Sequence, residues 1–362
     1  MKKVIFALAA VVALAACSQE DVIVADKGAA IGFDTFVENS TRVAQSADPS
    51  LTVDAMQKGE GFGVYGFVTN VTNVTNNTTA TAPLFTDEQV KWTDGVDGAE
   101  GAWKYAVTQY WIDGATYDFA AIAPYNSYKV TEAAPTGVTL DFTNNGKTDL
   151  LYAQNNAVDG SLHSKVGFTF KHLLSKVKFT FTNGYDANNT LIAVKNIVIN
   201  DTYAKGNAVL GVNTAKALTA AWTAVDADAT LDLAFGDAIT GGYIAQGASE
   251  QSAESLLIIP AAKTYSVTFN VELYYKNGDN NYTLVKTYSH DVPFAANFEF
   301  GKSYNVATTI TYKNIDPGVT EQHPIEFTVT EIVDWDEDHD GKENTAAGDT
   351  DGDNQVDTEF EI

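Results

Sequence analysis

Short alternations of apolar and polar residues run along almost the whole chain. Lys176–Phe181, Tyr265–Tyr274 and Ile325–Val329 each place apolar side chains on one face at period two. Ile31–Val37 does the same, with Ile31, Phe33, Thr35 and Val37 sharing a face. Turn residues separate such runs, as in Asn144–Gly146, Asn183–Gly184 and Asn277–Asn280. No segment carries a long 3.6-residue stripe, so the pattern predicts an all-β chain of antiparallel sandwiches. The polar stretch Gln154–Gly160 reads as a link between two domains, spanning 17–160 and 161–335. Val68–Thr79, repetitive in Asn, Val and Thr, reads as a long surface hairpin or loop.

The N-terminus breaks this pattern. Lys2 and Lys3 precede an apolar stretch from Val4 to Ala15, and Leu14-Ala15-Ala16 leads into Cys17, the one cysteine. As a helix this stretch spans only about 18 Å, against a hydrocarbon core of ~30 Å. Residues 1–16 therefore read as a cleaved bacterial lipoprotein signal peptide, with Cys17 the lipidated N-terminus of the mature chain. That address is that of an exported, lipid-anchored protein.

Composition narrows the function further. One cysteine permits no internal disulfide, so stability rests on packed cores. A formal net charge of −25 excludes an electrostatic nucleic-acid binder, which needs clustered Lys and Arg. Gly61–Gly66 matches GxGxxG but sits in an alternating run with no helix after it to receive a phosphate. No nucleophile elbow, zinc-protease or P-loop motif occurs. The histidines at 163, 172, 290, 323 and 339 are scattered, and His172 fits a partly buried strand or turn residue. The chain reads as a non-enzyme.

Two features bear on what it does instead. Arg42 is the only arginine, in the polar stretch 39–47 directly after the Ile31–Val37 run. Exposed connectors of this kind are where proteases cut. The tail 336–362 is acidic and carries two phased loops. Asp336, Asp338, Asp340 and Gly341 match positions one, three, five and six of a calcium loop. Asp349, Asp351, Asp353 and Asp357 match positions one, three, five and nine. Ala347 and Phe360 replace the bidentate glutamate at position twelve, so the tail fits either Ca²⁺ coordination or a solvated acidic extension. No other cofactor is required.

Several segments resemble the Bacteroidetes fimbrillins, lipoprotein subunits of type V pili. They are Ile31–Arg42, Phe62–Phe67, Asp149–Ala153, Phe168–Val177, Leu256–Pro260, Phe300–Tyr304 and Ile325–Trp335, in that order. The resemblance covers most of residues 17–335 and implies two transthyretin-like β-sandwich domains. It also implies travel to the cell outer membrane as a surface-exposed lipoprotein, with Ser18–Asp21 part of the surface-export signal. In shaft subunits of that family a protease cuts after a basic residue behind the first strand. A C-terminal strand of another subunit then fills the vacated groove. On that pattern Arg42 is the processing site and Ile31–Val37 the strand that leaves. Ile325, Phe327, Val329, Ile332 and Val333 fit either a donor strand or the ordinary last strand of the second sandwich. The partners implied are other fimbrial subunits and a host protein or glycan receptor, in support of adhesion. An alternative is a surface lipoprotein that binds glycan or another ligand without polymerising, through aromatics such as Trp92, Trp103, Tyr110 and Trp111.

Overall fold

The computed structural model describes residues 28–37, 49–73, 78–96, 99–185, 189–224, 229–277, 281–315, 318 and 323–332. Residues 1–16, Cys17, Arg42, Val333 and the tail 336–362 with its aspartates lie outside the described residues.

Strands dominate, as alternation predicts. In chain order they are β1 (Phe33–Val37), β2 (Phe62–Asn73), β3 (Thr78–Thr93), β4 (Ala102–Lys104), β5 (Thr116–Ala123), β6 (Tyr128–Ala134), β7 (Gly137–Thr143), β8 (Leu151–Asp159), β9 (Val166–His172) and β10 (Ser175–Asn183). There follow β11 (Thr190–Tyr203), β12 (Lys205–Val212), β13 (Leu218–Ala224), β14 (Thr230–Ala234), β15 (Ile244–Ala245), β16 (Ser249–Gln251), β17 (Leu256–Ile258), β18 (Ala262–Asn277), β19 (Asn281–Asn297), β20 (Ser303–Ile310) and β21 (Thr328–Ile332). Two short helices, α1 (Val53–Lys58) and α2 (Tyr312–Ile315), interrupt them.

A sheet of order β1-β9-β8-β5-β2-β3-β4 forms the centre of the N-terminal half. One of its faces encloses an aromatic core containing Phe33, Phe62, Phe85, Phe119, Phe168 and Phe170. Its other face packs through Tyr65, Ala120, Ile122 and Tyr152 onto Leu140, Phe142, Ala208 and Leu210 of a second sheet, β13-β12-β7-β6. Both faces of β5 are thus covered, which explains its unbroken apolar run Phe119–Ala123. The C-terminal half is a sandwich of β16-β10-β20-β21 on β14-β11-β18-β19. Phe179, Phe181 and Val306 face Val194, Val267, Phe269 and Val271 across it. Residues on one face of each strand supply these cores, as the period of two requires.

Three expectations change on meeting the structure. Two strand pairs are parallel, β1 with β9 and β10 with β20. Parallel neighbours need a long crossover, and here more than a hundred residues separate each pair. Gln154–Gly160 is largely the continuation of β8, not a free linker, because neighbouring groups satisfy its amides: Tyr152 Oη donates to Gln154 and Gln154 donates to Pro135 O. Strand pairing also crosses the division expected at 160/161. β9 joins the N-terminal sheet, and β12 pairs with β7 from Lys205↔Thr143 to Gly211↔Gly137.

Candidate functional site

The strand ahead of the lone arginine lies within the first core. Ile31 and Phe33 are each 2% exposed and Thr35 is 9% exposed, while Phe36 on the opposite face is 63% exposed. Phe33 is the centre of a ring cluster. Its centroid stacks 5.6 Å from Phe168 and meets Tyr105 at 5.6 Å, Phe85 at 5.7 Å, Phe119 at 6.2 Å and Phe62 at 6.3 Å. Edge-on contacts of this kind suit the ring quadrupoles.

Two different partners hold the backbone of this segment. Downstream, β1 runs parallel to β9 from Phe33↔Val166 to Val37↔Phe170, and Val166 N donates to Gly32 O at 2.8 Å. Upstream, residues 29–31 pair antiparallel with 109–111: Ile31 N donates to Gln109 O at 2.9 Å and Trp111 N to Ala29 O at 3.0 Å. Tyr105 Oη donates to Ile31 O at 2.8 Å, and burial pushes that phenol upward so it remains a neutral donor. The strand thus occupies a slot between β9 and the 105–111 segment. Among the described residues it is the end strand of the sheet on its side.

One group in the slot is poorly served. Thr35 Oγ1 is buried with no hydrogen-bond partner among the described residues. A buried orphan hydroxyl costs about 1–3 kcal/mol. The strand therefore fills its slot less well than an apolar strand of the same shape would.

Where the chain returns after the 38–48 stretch, it is fastened. Leu51 N donates to Asp149 Oδ2 at 2.8 Å, and His172 Nδ1 lies 2.7 Å from the same oxygen. Thr52 caps α1 by accepting from Ala55 N at 3.1 Å, and Met56 is buried beneath the helix. His172, expected as a partly buried strand or turn residue, ends β9 and is buried outright at 4% exposure. Its partner Asp149, 23 positions away, carried no local signal.

The candidate donor strand folds onto its own chain. β21 pairs antiparallel with β20 through Val306↔Val329. Phe327 packs 5.7 Å from Phe179, 5.8 Å from Phe294 and 5.9 Å from Phe269, and Ile325 is buried. Among the described residues it is the last strand of the second sandwich.

The aromatics considered for ligand binding separate clearly. Trp103 and Trp111 are core residues, packed on Phe62 and Tyr117, whereas Tyr110 is exposed. Gly61–Gly66 enters β2, and a Cβ at Gly63 would lie 2.1 Å from Tyr128 Oη. The glycine there serves side-chain packing. Among the described residues no group of three or more His, Cys, Asp or Glu could hold a metal, and no helix is long and apolar enough to cross a membrane.

Residues 41–335 match a family model described as fimbrillin-like. A fimbrial protein from Bacteroides vulgatus has a similar fold: TM-score 0.56 and 18% identity, covering 84% of this chain and 98% of that one. The fimbrial anchor protein Mfa2 from Porphyromonas gingivalis aligns over 84% of this chain and 98% of its own, at 9% identity and a TM-score of 0.32. No curated protein sequence matches.

Proposed function

This chain belongs to the fimbrillin-like family and is a structural protein rather than an enzyme, and from that premise we propose that it is a fimbrial subunit assembling by strand exchange. The observation that carries the reading is the placement of Ile31–Val37. It is buried in the first core, held at the sheet's end, and followed directly by the stretch bearing Arg42.

Cutting after Arg42 severs this strand from α1 while leaving its contacts in place. Nothing covalent then opposes its departure. Ile31 and Phe33 together contribute about 3–6 kcal/mol of burial, which a replacement strand must at least match. A donor that leaves no orphan hydroxyl opposite Thr35's pocket does so more readily. Backbone pairing to β9 would supply affinity and alternate side chains would supply register, the logic of β-augmentation. An empty slot would expose a sheet edge and an aromatic core, so release and refilling are coupled by the cost of leaving it open.

In the same reading, Cys17 is lipidated and brings the precursor to the outer membrane, and the assembled fimbria supports adhesion to a host protein or glycan. The donor is the Ile325–Val333 segment, which must peel from its own second sandwich. The tail aspartates Asp336, Asp338, Asp340, Asp349, Asp351, Asp353 and Asp357 coordinate Ca²⁺. The test is cleavage by an arginine-specific protease, which has one possible site. Assembly reads as ladders resistant to sodium dodecyl sulfate. A cut protein that remains monomeric at high concentration would contradict strand exchange.

A further inference from the structure

A groove of about 500 Å³ lies on the N-terminal half between β3 and β6, sharing Phe85 with the ring cluster around Phe33. Phe67, Pro83, Val130 and Ala133 line its walls, and Asp87 and Glu132 bring two carboxylates to it. No lysine lines it, and among the described residues neither Asp87 nor Glu132 has an ion-pair partner.

Asp87 is held in place by neutral groups. Tyr128 Oη donates to Oδ1 at 3.4 Å, and the Tyr65 phenol neighbours the same carboxylate. The absence of a side chain at Gly63 lets Tyr128 reach this position. Burial, and then the neighbouring Asp87 charge, push both phenols upward, so they stay protonated donors. The result is an exposed carboxylate beside aromatic and aliphatic walls, with Lys91 and Lys104 lining a neighbouring depression on its other side. Its complement is a cation on an apolar stem. A net charge of −25 adds long-range attraction for the same kind of partner.

We propose that this groove receives one cationic side chain, a guanidinium or alkylammonium, carried on an extended segment of a partner protein. The stem lies along Phe67, Pro83 and Val130, and the charged head meets Asp87 and Glu132. The proposal does not depend on strand exchange, since the groove is complete in the uncut chain.

Fluorescence anisotropy with the full, uncut chain tests it, using a fluorescein-labelled Gly-Arg-Gly peptide and its citrulline counterpart of equal shape and no charge. The arginine peptide is expected to bind about tenfold more tightly than the citrulline one, the ratio that loss of a charge-assisted bond produces. Asp87→Asn and Glu132→Gln are each expected to weaken it about five- to tenfold. Asn is as tolerant as Asp of the φ of +53° at position 87 and still accepts from Tyr128, so the fold is kept. Glu132 is exposed on β6, so its variant provides a second, fold-neutral test. Equal binding of both peptides, no binding of either, or indifference to both variants would overturn the proposal. So would selective binding of a neutral oligosaccharide that the variants leave unchanged.

Discussion

Replacing Phe33 with alanine separates a temporary filler from a permanent core residue. Phe33 is 2% exposed and meets five aromatic rings within 6.3 Å. A Phe→Ala change at such a site costs about 3–5 kcal/mol. With a urea dependence of about 3 kcal/mol per M, the unfolding midpoint of the intact chain should fall by roughly 1–1.7 M. After cutting at Arg42 and assembly, the mutated strand has left, and variant and wild type should unfold at the same midpoint. Phe168→Ala, on β9, provides the contrast, because its penalty should persist in both states. The readout is urea denaturation followed by near-ultraviolet circular dichroism, before cleavage and after assembly. A Phe33→Ala penalty that survives assembly would refute the idea that β1 departs. A penalty below about 1 kcal/mol in the intact chain would refute its burial.

Further expectations follow from single contacts. Thr35→Val removes the orphan hydroxyl at nearly constant volume, so it should stabilise the intact chain by about 1–3 kcal/mol and slow assembly after cleavage; stopped-flow light scattering checks the rate. Asp149→Ala strips Leu51 N and His172 of their shared acceptor and should cost about 1–3 kcal/mol by urea denaturation. Burial holds His290 below its ordinary imidazole range, so the unfolded chain binds its proton first as pH falls. This stabilisation is complete above about pH 6.5 and is lost on acidification below it, and His290→Phe should flatten that part of the melting-temperature profile. Excess EGTA should lower the melting temperature if the tail aspartates hold Ca²⁺, and an unchanged value removes the ion from the account.

Local structure was legible where side-chain alternation alone decides it. Ile31–Val37, Lys176–Phe181 and Tyr265–Tyr274 are extended with the faces their sequences assign, and the pair Asn277↔Asn281 is the last of the β18–β19 ladder. Val68–Asn73 likewise pairs antiparallel with the strand that follows it, from Val68↔Ala82 to Asn73↔Thr78, and residues 74–77 lie outside the described residues. Ile325–Val329 was only half right: its ladder begins at Thr328, and the anchoring residues Ile325 and Phe327 precede it. What alternation cannot encode is which strand lies beside which. The parallel β1–β9 pair joins segments more than a hundred residues apart, and β12 crosses to β7 through backbone bonds that any sequence can form. Trp103 and Trp111 show the same limit, since a single aromatic reads alike whether it faces a core or solvent. The Asp87 groove has no local signature, because bulges between Val64 and Phe67 re-aim its side chains.

Tethering β1 provides the most direct test of strand exchange. Ala30 and Tyr110 face each other as a non-hydrogen-bonded antiparallel pair, whose Cα atoms lie about 4.5 Å apart, within disulfide range. On a Cys17→Ser background, Ala30→Cys with Tyr110→Cys locks the strand in its slot when oxidised. The prediction is that the oxidised protein, once cut after Arg42, stays monomeric and assembles only on addition of reductant. Equal assembly in the oxidised and reduced states would show that the slot need not be vacated.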